Sequence, residues 1–207
     1  MPNYEWDIFV SYRRSDEDWV RWTQKNFVAP LRTLLRPALG DVRIFTDHHV
    51  ETGASWPLHL ANALGRSRLL IPVLSRAYFD SKWCRLEITL MYERELELGF
   101  RTGEHPGGLI LPVVIQDGDS FPPEVREMQA ESIHRFANPF IQIESPQQQE
   151  FTQWIHSWCP TIERSLTNVP PFNAKWDARA QSQFEERFRN QPPTHSVLPR
   201  LEPDHLP

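Results

Sequence analysis

The sequence predicts an α/β domain: a parallel sheet with helices on both faces. Strand-like and helix-like segments alternate five times between residues 6 and 166. Such alternation implies right-handed crossovers and strands running in one direction. Residues 109–115 are apolar almost without interruption, as in a strand buried on both faces. Capping residues and glycines punctuate the helical segments where such a fold needs them to begin and end.

The first strand is residues 6–12 (WDIFVSY), aromatic and β-branched. Ser15 with Asp18 three residues on gives a capping box. Trp19, Val20, Thr23, Phe27, Leu31 and Leu34 then keep helical spacing to about residue 35, and Pro30 should kink or divide that helix. Residues 42–46 (VRIFT) form the second strand, and 47–54 a polar loop containing Gly53. Ser55 caps the next helix, and Pro57 falls in its first turn, where a missing N–H costs nothing. Leu60, Ala61 and Leu64 form its apolar stripe and Gly65 its C-cap. Residues 69–74 are the third strand, in which Pro72 removes a ladder donor and argues against a central position. A long helix follows from about residue 81 to 98, ending at Gly99. Residues 109–115 supply the fourth strand and 140–143 the fifth. The last helix of the domain, about 147–166, carries Phe151, Trp154, Ile155 and Trp158 on one side as core, with Pro160 interrupting it.

The domain therefore spans residues 1–166. In the extension, residues 167–207, seven of 41 residues are proline and aliphatic residues are few. It is expected to pack on a partner or to remain mobile. Within it, Phe184 and Phe188, four apart, suit one short amphipathic helix over residues 177–189.

Several function classes are disfavoured by composition. A net charge of -5 lacks the basic footprint of a nucleic-acid binder, so no direct nucleic-acid partner is expected. The N-terminus MPNYEWDIFV lacks a secretory signal, and no apolar stretch approaches the roughly 20 residues that span a bilayer. Cys84 and Cys159 form neither a CxxC motif nor a disulfide framework. A cytoplasmic protein with reduced thiols and no membrane association is the expectation.

The chemistry centres on residues 83–87. Positions i and i+4 share a helix face, so Trp83 and Glu87 are neighbours near a helix start. Alone, this pair favours the plain description of a core tryptophan beside a surface glutamate, since such helical pairs are routine. As a site, an aromatic plate beside a carboxylate suits a planar heterocycle attached to a sugar. Ordinary glycoside hydrolysis needs two carboxylates, one to protonate the leaving group. Nicotinamide leaving from NAD+ needs no proton, because its ring nitrogen is already cationic. A single carboxylate stabilising the oxocarbenium-like state then suffices.

The segments, taken in order, resemble the TIR (Toll/interleukin-1 receptor) domain family. DIFVSYRR (residues 7–14) is similar to the family's first strand and its D-x-F-x-S-Y signature. RIFTD (43–47) followed by GASW (53–56) is similar to its second strand and BB loop. Leu74 and Ser75, then Tyr78 and SKWCRLE (81–87), are similar to its L-S-x-x-Y-x-x-S-x-W-C-x-x-E element. The likeness covers about residues 4–160 with no segment out of order.

The resemblance implies a flavodoxin-like three-layer domain with a five-stranded parallel sheet. It also implies one of two lives: assembly with other TIR domains in signalling, or cleavage of NAD+ at the nicotinamide–ribose bond. The W-C-x-x-E form matches the enzymatic version, of the prokaryotic NADase type acting in defence or immune-type signalling. By that resemblance Glu87 is the catalytic residue. Trp83 and Cys84, with Ser11, Tyr12, Arg13 and Arg14 after the first strand, lie near the nucleotide. Arg13 and Arg14 suit a pyrophosphate, and Asp47 suits either a ribose hydroxyl or a turn. Enzymatic relatives often carry an acid just after this point; here His48 and His49 intervene, and Glu51 is the substitute. His48, His49, Val50, Glu51, Thr52, Gly53 and Trp56 form the loop that is expected to complete the site of a neighbouring copy.

NAD+ enters as substrate, so no cofactor is expected, and the tandem histidines lack the companions of a metal site. Expected partners are NAD+, other TIR domains, and a separate sensor or effector subunit. The product is free ADP-ribose or a cyclised or conjugated form of it. The alternatives are a non-enzymatic TIR adaptor and a nucleoside deoxyribosyltransferase-like enzyme. A receiver-type phosphoacceptor is excluded, because Ser-Tyr-Arg-Arg stands where it needs acids.

Overall fold

The computed structural model describes residues 3–47, 56–116 and 121–190. The first half runs β1 (Trp6–Ser11), α1 (Glu17–Trp22), a π-helical stretch (Thr23–Val28), α2 (Ala29–Leu39), β2 (Ile44–Thr46), α3 (Trp56–Gly65) and β3 (Ser67–Leu74). The second runs α4 (Arg76–Asp80), α5 (Lys82–Glu97), β4 (Val113–Val114), α6 (Pro123–Arg126), β5 (Glu131–Ser132), a 3-10 turn (His134–Phe136), α7 (Pro146–Thr167) and α8 (Ala174–Arg189). The five strands are all parallel, in the order β2-β1-β3-β4-β5. That order is flavodoxin-like, as expected. Ile8 pairs with Ile44 on one side and Leu69 on the other. Consecutive residues Ile8, Phe9 and Val10 are at most 1% exposed, so both faces of the sheet are covered.

Several expectations are corrected. Asp16, not Ser15, caps α1: its carboxylate accepts from the N–H groups of Asp18 and Trp19. Pro30 does not divide the helix. It has no N–H for the carbonyl of Asn26, four residues back, and the chain widens there into the π-helical stretch. The freed carbonyl accepts from Gln148 Nε2 of α7 at 3.0 Å, and Gln148 Oε1 accepts from Asn26 Nδ2 at 2.8 Å. Pro160 likewise leaves α7 unbroken, because Pro160 and His156, whose carbonyl it leaves unbonded, are both exposed to water.

Pro72 sits in the central strand. Leu70 bonds β4-side residues through both its N–H and its carbonyl. Pro72, two residues on, therefore turns its missing donor to the same side. There the pairing lapses between the Leu70–Ile110 bridge and the Val73–Val113 register. The fifth strand is not 140–143, where Phe140 and Ile143 are 76% and 60% exposed in a turn. It is the two-residue β5, held by Glu131 N–H to the Pro112 carbonyl at 2.9 Å.

The extension also departs from expectation. The segment predicted at 177–189 forms α8, which starts earlier, at Ala174, and packs on the domain. Trp176, Ala180 and Phe184, one helical turn apart, are all buried. Gly65 makes this docking possible. A Cβ there would lie 2.6 Å from the Asp177 Cα, so α3 and α8 touch backbone to backbone. The Asp177 carboxylate then accepts from Arg66 Nε at 2.9 Å.

Candidate active site

A cleft of about 560 Å³ opens at the carboxyl ends of β1 and β2, against the start of α5. It falls where a doubly wound sheet places its ligands, and its size suits a nucleotide-like molecule. The loop after β1 contributes Tyr12, Arg13 and Arg14, the end of β2 contributes Asp47, and α5 contributes Trp83, Cys84 and Glu87. Ser81 sets the direction of α5 by accepting from the Cys84 N–H at 3.3 Å as N-cap. That cap puts Trp83 and Glu87 one turn apart on the cleft side.

Glu87 is 5% exposed. Ser11, expected among the ligand contacts, is instead 2% exposed and hydrogen-bonded to Glu87 Oε2. Ser11 Oγ is also 2.8 Å from the Tyr78 hydroxyl, which donates to the Cys84 carbonyl at 3.2 Å. Tyr78 is fully buried and completes a line of hydroxyls beneath the acid. Its place in the site was missed as a role, although the L-S-x-x-Y spacing marks the residue. Burial pushes the Glu87 carboxyl from 4.5 up to about 8. The bond from Ser11 and the charge of Arg14 pull it back, and the nearby Asp47 carboxylate adds to the rise.

The basic residues are held by specific partners. Arg14 bridges to Asp47 Oδ2 at 2.7 Å, joining the loop after β1 to the end of β2. Arg13 donates to Ser15 Oγ and to the Ala77 carbonyl, both at 2.6 Å. The Tyr12 hydroxyl accepts from Gln24 at 2.7 Å, anchoring the loop to the π-helical stretch. Cys84 is 5% exposed, with Sγ 3.7 Å from the Tyr12 carbonyl. Burial and the neighbouring Glu87 push its thiol up to about 12, which removes any nucleophilic role near neutral pH.

Half-buried Trp83 stacks on Phe184 of α8, ring centroids 5.6 Å apart and planes 21° apart. The sequence places Phe184 in an amphipathic segment, but nothing in it points to the cleft. Of the loop expected to serve assembly, residues His48, His49, Val50, Glu51, Thr52 and Gly53 lie outside the described residues. Trp56 opens α3. Among the described residues, no three His, Cys, Asp or Glu side chains converge as a metal site would need. No helix among them is long and apolar enough to cross a membrane.

Fold and cleft together define a flavodoxin-like α/β domain with two buried acids, Glu87 and Asp47, at the carboxyl edge of its sheet. The family model described as TIR domain matches residues 8–143, and the chain belongs to that family. Over 90 residues it is 31% identical to TMV resistance protein N of Nicotiana glutinosa. That stretch is 44% of this chain and spans 7% of the relative's length. Among solved structures, it is similar to the TIR domain of the Toll-related receptor TRR-2 from Hydra magnipapillata. The TM-score is 0.45 at 16% identity, over 79% of this chain and 99% of that one. It is also similar to the TIR domains of the activated Roq1 resistosome, a structure described as directly recognizing the pathogen effector XopQ. There the TM-score is 0.37 at 23% identity, over 89% of this chain and 99% of that one.

Proposed function

We propose that this TIR domain is a NAD+ glycohydrolase that breaks the nicotinamide–ribose bond, with Glu87 as its catalytic residue. The observation that carries the proposal is the Glu87 carboxyl, 5% exposed, one helical turn from the Trp83 indole in a nucleotide-sized cleft. NAD+ lies with its nicotinamide riboside toward Trp83 and Glu87 and its pyrophosphate toward Arg13 and Arg14. The C1′–N bond breaks, its electron pair goes to the ring nitrogen, and nicotinamide leaves neutral. Ionised Glu87 stabilises the positive charge that develops on the ribose. Water adds to C1′ and releases a proton, giving ADP-ribose; capture by a group within the molecule gives a cyclic product instead.

The pyridinium cation of the substrate favours ionisation of an acid that burial otherwise keeps protonated. Self-assembly through residues 48–56, with the loop of one copy completing the cleft of the next, belongs to the same proposal. So do a role in antiphage defence or immune-type signalling, a cytoplasmic setting, and a separate sensor or effector subunit.

A second reading draws on the Ser11–Glu87–Tyr78 cluster itself. A neutral Glu87 bonded to Ser11 can serve as a structural pin between β1 and α5, in a TIR domain that acts only by assembly. The test is nicotinamide release from NAD+ by wild type and Glu87→Gln, with mass spectrometry of the products. It is run at high protein concentration with a crowding agent, and with deoxynucleosides as competing substrates. Turnover by wild type and none by Glu87→Gln is the expected result. Equal turnover by the two overturns the catalytic assignment. No turnover by either in any assembled state favours the adaptor. Base release from deoxynucleosides but not from NAD+ favours a deoxyribosyltransferase-like enzyme.

A further inference from the structure

Helix α8 lies beyond the stretch matched by the family model, residues 8–143. It nevertheless touches one of the residues that line the cleft, Trp83. Its buried stripe Trp176–Ala180–Phe184 seats it on α3 and α5. At its start, the Lys175 ammonium lies 2.9 Å from Glu97 of α5, and Arg179 pairs with the same carboxylate. Along α3, Gln181 donates to Asn62 at 2.7 Å, next to the Asp177–Arg66 pair. Two turns beyond Trp176, Phe184 is 0% exposed and stacks on Trp83. The same helix thus grips α3 and α5, which carries Glu87.

We propose that Phe184 is a positioning residue for substrate binding: docked α8 uses its ring to hold the Trp83 indole in the orientation that receives the planar ring of NAD+. This rests on the proposed function for its substrate. An indole backed by a parallel ring has fewer orientations open to it, so less ordering is left for the substrate to impose. Loss of the backing ring should therefore weaken binding and leave the bond-breaking step, which Glu87 serves, nearly unchanged. Docking itself depends on the contact at Gly65, far along α3 from the cleft, so a lesion there should have the same effect on Trp83.

The test uses the full chain with Phe184→Leu, which keeps an apolar side chain but loses the stack, and Gly65→Ala, which forces α8 off α3. Phe188→Ala is the control, on the same helix but 54% exposed. Steady-state NAD+ turnover is measured together with the Trp83 indole N–H resonance, assigned by its loss in Trp83→Phe. Phe184→Leu and Gly65→Ala should each raise KM about 3- to 10-fold, the range of one aromatic pair, with kcat within about twofold. Both should shift the Trp83 resonance, and Phe188→Ala should change nothing. Unchanged KM, or a fall in kcat alone, overturns the proposal. If the wild type turns over no NAD+, the proposed function has failed, and the proposal is decided by NAD+ titration monitored at the same resonance. Perturbation of that resonance by NAD+ in wild type, weakened in Phe184→Leu, supports it; no perturbation in wild type overturns it.

Discussion

Replacing Glu87 by glutamine should make the folded protein more stable at neutral and alkaline pH while abolishing the proposed activity. Burial raises the carboxyl from 4.5 to about 8, so the native state keeps its proton where the unfolded chain has lost it. Between those values the native state binds more protons, and stability falls as pH rises. The contribution of protonated Glu87 is fully present below about pH 4.5 and has been lost once pH passes about 8. A shift of about 3.5 units at about 1.4 kcal/mol each amounts to a loss on the order of 5 kcal/mol. Glutamine does not titrate, and its amide oxygen still accepts from Ser11. Glu87→Gln should therefore melt within a few degrees of wild type at pH 5 and about 10 °C or more above it at pH 9. Thermal unfolding of both proteins across that range, at one salt concentration, reads the difference, since titrating groups remote from Glu87 cancel. A difference that does not grow with pH, or a variant less stable than wild type at pH 9, refutes the assignment of a buried, neutral acid.

The same shift sets the pH dependence of catalysis: kcat/KM for NAD+ should rise with pH, with a midpoint near 8 in the free enzyme. Ser11→Ala removes a bond that favours the ionised carboxylate, so its midpoint should move higher still; a profile unchanged by that substitution argues against Ser11 acting on Glu87. Away from the cleft, Glu95 is 0% exposed, bonds Arg101 Nε at 2.6 Å and accepts from the Ile110 N–H at 2.7 Å, joining the end of α5 to the segment before β4. Glu95→Ala leaves those donors unpaired and should cost about 3 kcal/mol, a melting drop of about 6–12 °C with cleft chemistry intact.

How far the sequence reveals this protein depends on whether a feature is encoded locally. Glu87 and Trp83 are legible because helical spacing alone makes them neighbours, and SKWCRLE fixes the helix start. β1 and the buried core strands show as apolar runs. β5 does not, because two residues, Glu131 and Ser132, carry no periodicity and are held by backbone bonds to β4. Phe140 and Ile143 look like a strand and lie exposed in a turn, since apolar character does not by itself create a paired neighbour. Pro30 and Pro160 appear as helix breakers until their freed carbonyls are traced, one to Gln148 and the other to water-facing surface. The partnership of Phe184 with Trp83 spans 101 residues and is set by α8 docking at Gly65, which no local pattern announces.

The bond from Ser11 opposes the rise that burial imposes on the Glu87 carboxyl. Ser11 and Tyr78 each have one proton to donate. Ser11 donates to Glu87 Oε2, and its oxygen lies 2.8 Å from the Tyr78 hydroxyl, which reaches the Cys84 carbonyl at 3.2 Å. When Glu87 ionises, the bond from Ser11 becomes charge-assisted and strengthens. Ionisation still carries the larger desolvation cost. A cation at the cleft supplies the opposing attraction, and the proposed substrate is one whose reacting ring is cationic until the bond breaks. A neutral ligand of the same shape lacks that charge, so the burial of Glu87 discriminates against occupants that cannot favour its ionisation.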